Sequence, residues 1–106
     1  MITEAQAEAA NDYIRDNAES LAKAKAERIY IEQFRKSKKA LLFSQSGEKT
    51  IGEREAYAYS HDDYLGLLDG LRAAVEAEEY IKWRMTAAQL KIELYRTEQA
   101  SNRKGF

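Results

Sequence analysis

Stepping by fours and threes from Leu67 reaches Leu71, Ala74, Glu78, Ile81, Met85, Ala88, Ile92, Tyr95 and Gln99. This is a heptad seam, apolar except at Glu78 and at its far end, and a seam of that kind needs a partner helix to cover it. A second seam in the same chain has the same spacing: Ala7, Ala10, Ile14, Asn17, Leu21, Ala24, Arg28 and Ile31. Nothing breaks either one. The 106 residues include no proline and only five glycines, and Ala, Glu, Lys, Arg, Leu and Gln dominate, a composition that predicts an all-α fold.

Local signals divide the helices. Thr3 with Gln6 reads as an N-cap and capping box, opening a long helix over about 4–45, and beyond Ile31 its apolar surface passes to Phe34, Leu41, Leu42 and Phe43 as the register blurs. Gly47 is suited to the left-handed position that ends a helix. Thr50 with Glu53 makes a second capping box, for a short helix over about 51–59. Ser60 with Asp63 makes a third, for a final helix over about 61–101. Gly66 and Gly70 lie near the start of that helix at a cost of ~1 kcal/mol each relative to alanine, which predicts a close helix crossing there. The tail from Asn102 to Phe106 is expected to fray. The whole chain, 1–106, reads as a single helical domain of a size that can fold alone.

Charge fixes how the seams meet. Residues 1–22 carry one base and five acids, net −4; residues 23–49 carry eight bases and three acids, net +5. Residues 50–80 carry two bases and eight acids, net −6; residues 81–106 carry six bases and two acids, net +4. Only an antiparallel hairpin sets opposite signs together along its length. Laid that way, with paired numbers summing to about 105, the seams match Ile14 with Ile92, Leu21 with Met85, Ala24 with Ile81 and Arg28 with Glu78. The Arg28–Glu78 layer is a structural ion pair that sets register at little net gain in stability.

The last helix carries more apolar surface than one partner can cover. Tyr80, Trp83, Ala87, Leu90 and Leu94 form a second stripe, and Tyr30 and Phe34 lie off the main seam of the first helix. The chain is therefore expected to be a homodimer forming a four-helix bundle through these residues. The competing expectation is that the helices bend until the chain covers Trp83 itself.

Site chemistry is sparse. No catalytic, metal or phosphate-binding motif is present, and with no cysteine neither a disulfide nor a thiolate metal site can form. Arg35, Lys36, Lys38, Lys39 and Lys49 make the strongest charge cluster, near Tyr57, Tyr59 and Tyr64, and basic groups interleaved with aromatics can hold phosphates and stack bases. Against nucleic-acid contact stands a plainer account: bases are favoured near a helix C-terminus, and the acids Asp62, Asp63, Asp69, Glu76, Glu78 and Glu79 return alongside. His61, the only histidine, reads as a helix-start residue, since a ferritin-like metal site needs Glu-x-x-His motifs that are missing. Asp62 and Asp63 read as acids favoured at a helix N-terminus rather than as a catalytic pair. Arg28, Lys39, Arg54, Glu55 and Gln89 supply the residue types used by small helical chorismate mutases, without a matching motif. The chain is thus expected to be no enzyme, to use no cofactor or metal, and to bind a protein partner. With no long apolar run and no signal-peptide pattern, it is expected to be soluble and cytoplasmic.

Four runs carry a resemblance: Arg54-Glu55-Ala56-Tyr57-Ala58-Tyr59, Leu68-Asp69-Gly70-Leu71-Arg72-Ala73-Ala74, Trp83-Arg84-Met85, and Tyr95-Arg96-Thr97-Glu98-Gln99-Ala100-Ser101-Asn102-Arg103. Together they resemble small all-helical accessory proteins of tailed bacteriophages and prophages, often encoded near recombination or replication genes. The resemblance implies a viral setting inside a host cell, and no activity or site residue comes with it. It adds a second reading of function, a DNA-binding accessory to phage recombination or replication that uses the basic end of the first helix.

Substituting Glu78→Ala should destabilise the chain more, by urea midpoint, than replacing Arg28 and Glu78 together by apolar residues. Equal costs would remove the pairing.

Overall fold

Two threonines start the first two helices by the same chemistry. In the computed structural model, which describes residues 1–103, the Thr3 N–H donates to Gln6 Oε1 at 2.9 Å while the Gln6 N–H donates to Thr3 Oγ1 at 3.1 Å. That reciprocal box satisfies two backbone donors that a helix start leaves unpaired, and α1 runs from it over Glu4–Gln45. Thr50, in extended backbone, accepts from the Glu53 N–H at 3.1 Å and opens α2, Ile51–Ser60. The third helix, α3, spans Asp62–Arg103. Long helix, short helix, long helix is the order of a helical hairpin, and no strand occurs among the described residues.

The start of α3 differs from the expected box. Ser60 ends α2, and its hydroxyl donates back to the Ala56 carbonyl at 2.7 Å. The cap comes from His61, whose Nδ1 accepts the Asp63 N–H at 3.0 Å. A neutral imidazole that accepts at Nδ1 carries its hydrogen on Nε2. At the other end α3 continues through Asn102 and Arg103, which were expected to fray; residues 104–106 lie outside the described residues.

The chain divides into two compact units, Met1–Lys23 with the chain from Glu78 on, and Ala24–Ala77. In the first, α1 and α3 pack as a two-helix layer. Ala7, Ala10 and Ala88 are buried, and Ile14, Leu21, Ile81, Met85, Ile92 and Tyr95 are half-buried around them. Two contacts hold the layer at its sides. The Ile2 N–H donates to Glu98 Oε2 at 2.9 Å, and the Arg84 guanidinium lies 4.8 Å from the Tyr13 ring centre. Glu78 is also buried, at 8% exposure.

In the second unit three helices meet, and the core is of a different kind. Leu42, Ala58 and Tyr64 are buried together, with Phe43 and Leu68 against them. The apolar seam of α1 does not blur after Ile31: it continues in step through Arg35 and Lys38, both half-buried, to buried Leu42. Long basic side chains lay their methylene stems on the seam and send the charge outward, which hides the register from a reading of apolar residues alone. Phe34 and Leu41, expected on the apolar surface, are 42% and 53% exposed. Arg28 donates from Nη1 to Glu32 Oε1 at 3.0 Å.

Three glycine expectations fail, one on backbone conformation and two on surroundings. Gly47 does not adopt the left-handed conformation, and neither Gly66 nor Gly70 has any atom within 4 Å of where a Cβ would stand. No close crossing requires them. Gly66→Ala and Gly70→Ala should therefore each raise stability, by up to about 1 kcal/mol, in thermal or urea unfolding. The Ser46 hydroxyl, beyond the end of α1, is buried without a hydrogen-bond partner, so Ser46→Ala should stabilise by about 1 kcal/mol in the same measurement.

Candidate interaction surfaces

The stripe from Tyr80 to Leu94 follows from helix geometry. Residues 80, 83, 87, 90 and 94 recur at three and four, so they share one face, and that face is turned well away from buried Ala88 and half-buried Ile81, Met85 and Ile92. Because α1 covers only the seam side, the stripe is left open: Tyr80 is 61% exposed, Trp83 65%, Leu90 60% and Leu94 49%, with Ala87 exposed between them.

One flank of the stripe is held by a cation between two phenols. Arg84 donates from Nη1 to the Tyr80 hydroxyl at 2.8 Å, and its guanidinium lies over both the Tyr13 and Tyr80 rings. Hydrogen bonding to Tyr80, then the charge interactions with Tyr80 and Tyr13, raises the Arg84 pKa above its ordinary value. The group stays charged, and in exchange it fixes the Tyr80 ring at the edge of the stripe. Below Arg84, a recess of about 310 Å³ is lined by Ala9, Ala10, Tyr13, Ala87, Ala88 and Lys91. On the opposite flank Glu79 and Lys82 approach at 3.9 Å. The Tyr13–Arg84–Tyr80 group was not legible as such; only the i,i+4 spacing of Tyr80 and Arg84 pointed toward it.

Tyr30 and Phe34 belong to the other unit. There they stack on one another with ring centres 6.0 Å apart and planes 9° from parallel, and both remain exposed.

The basic cluster is less open than its sequence suggests. Lys38 pairs with Asp63 at 3.3 Å. Lys39 sits 4.3 Å from the centre of the Tyr59 ring, and hydrogen bonding to Tyr59 raises its pKa, with burial opposing and Glu55 adding a smaller rise. Tyr59 in turn meets Tyr64 edge to face, and Tyr64 is buried, so it offers no face for a base to stack on. Tyr57 packs edge-on against His61. Lys36 and Lys49 are exposed and Arg35 is half-buried, and none of the three makes an ion pair among the described residues. Lys36, Lys39, Ala40, Phe43 and Glu55 line an open recess of about 440 Å³.

The residue types shared with chorismate mutases are divided between the two units. Arg54 donates to the Glu48 carbonyl at 2.9 Å and faces the Phe43 ring, Arg28 turns to Glu32, and Gln89 lies in the other unit, leaving Lys39 and Glu55 together. No group of three or more metal-ligating side chains occurs among the described residues, and none of their helices is long and apolar enough to cross a membrane. No protein-family model, curated protein or solved structure matches the chain.

Proposed function

We propose that this chain is a non-enzymatic interaction protein, a helical hairpin that pairs with a second copy through the Tyr80–Leu94 face and presents the resulting four-helix assembly to a protein partner. The observation that carries the reading is Trp83 at 65% exposure in an unbroken apolar stripe. Contiguous exposed apolar patches larger than a few hundred Å² are a recognised mark of interaction sites. Burying Tyr80 and Trp83 removes roughly 300 Å² per chain from water, worth up to about 8 kcal/mol at ~25 cal/mol per Å². Counted in both chains, that competes with an association cost of about 4–15 kcal/mol. In the bacteriophage setting that the resemblance implies, the partner is a phage or host protein.

The internal engagement of Lys38 and Lys39 weighs against the nucleic-acid reading, because a phosphate would have to displace Asp63 and Tyr59 to reach them. We expect no mobility shift with DNA at low salt. A shift that fades with salt and is lost on reversing the charge of Lys38 and Lys39 would restore that reading.

Sedimentation equilibrium at tens of micromolar should find a species of twice the 12.2 kDa chain mass. Trp83→Ala should weaken association by about 2 kcal/mol or more, as removal of a central aromatic anchor does. A persistent monomer in the unsubstituted chain would defeat the proposal.

A further inference from the structure

We infer that the second copy docks antiparallel on the Tyr80–Leu94 face, with the twofold axis near Met85, so that Trp83 of each chain covers Ala87 of the other. The inference rests on the reading that this face takes a second copy, and it adds orientation and register. The face is uneven along its length: two large aromatic rings at Tyr80 and Trp83, a methyl group at Ala87, then two leucines. Parallel pairing sets every residue against its own equivalent. Trp83 then meets Trp83 and, about one turn on, Ala87 meets Ala87. Two stiff helices cannot be far apart at one layer and close at the next, so that arrangement is overpacked at the tryptophans or hollow at the alanines.

Antiparallel pairing with residue numbers summing to about 170 removes the conflict. Tyr80 meets Leu90 and Trp83 meets Ala87, so bulk is even over these four layers, and Leu94 falls opposite Glu76 at the end of the contact. Along the buried seam of this unit, too, small Ala7, Ala10 and Ala88 are interspersed in sequence with larger Ile14, Leu21, Met85 and Ile92.

Charge gives a weaker and opposite preference. Arg84 and Lys91 flank the stripe on one side, Glu79 and Glu93 on the other, so a parallel pair would bring Glu79 near Arg84 of the second copy. Arg84 is already committed to the Tyr80 hydroxyl and the Tyr13 ring, and Glu79 to Lys82. All four flanking side chains lie at the solvent-facing rim, where a charge pair is screened and contributes little, whereas a void or clash in the middle of an interface is felt in full.

The absence of cysteine makes the test direct. A nitroxide on Ser101→Cys, at the exposed far end of α3, should report a distance of about 50 Å in the dimer by pulsed electron paramagnetic resonance, from 1.5 Å per residue on either side of the axis. A parallel dimer would place the two labels within about 20 Å. Trp83→Ala should raise the dissociation constant at least about tenfold. A dimer by mass with a short Ser101 distance, or one indifferent to Trp83→Ala, overturns the antiparallel docking. A monomer at every concentration overturns the proposed function as well.

Discussion

A helix paired with a single partner can bury only one of its faces. That limit shapes the unit formed by Met1–Lys23 and the chain from Glu78 on, where α1 and α3 have only each other. The apolar side chains buried there are all alanines, at Ala7, Ala10 and Ala88, with Glu78 the one buried charged residue beside them among the described residues. Ile14, Leu21, Ile81, Met85 and Ile92 stay half in water. Where α2 adds a third wall, large groups go inside: Leu42 and Tyr64 are buried and Ala58 is sealed off completely. The difference between the units is one of geometry, since both draw on the same heptad spacing.

The polar groups follow the same division. In the three-helix unit, cations engage local partners: Lys38 pairs with Asp63, Lys39 lies over the Tyr59 ring and Arg54 donates to the Glu48 carbonyl. In the two-helix unit, Arg84 and the Ile2–Glu98 hydrogen bond brace the sides of a thin layer. Each of these interactions is small by itself. Those that reach α3 from α1 or its lead, Lys38 with Asp63, Tyr13 with Arg84 and Ile2 with Glu98, restrict how the two helices slide or roll on one another.

Most of the fold was legible because its determinants are periodic. All eighteen residues of the two seams are buried or half-buried, and all seven residues of the surplus face are exposed. Spacing of that kind survives without any knowledge of neighbours. The failures share the opposite property. His61 caps α3 in place of Ser60 because Ser60 still belongs to α2, with its hydroxyl bonded to the Ala56 carbonyl, a matter of backbone direction at one residue. Gly66 and Gly70, whose cost inside a helix predicts close approach, face open space. Arg35 and Lys38 occupy seam positions that a residue alphabet of polar and apolar does not assign to them, and Tyr64 is a core residue in what looked like an exposed aromatic cluster. The candidate surface was therefore readable as a stripe, while the Arg84 brace at its edge required three-dimensional contacts.

Trp83 is the only tryptophan in the chain, and it stands outside both packed units' interiors. Its indole is already largely hydrated in the folded monomer, so unfolding changes its surroundings little. Intrinsic emission is consequently a poor gauge of whether α1 and α3 are packed together. It is instead a native optical probe of the outer face of α3: a blue shift in this protein would signal that something has come to rest on Trp83.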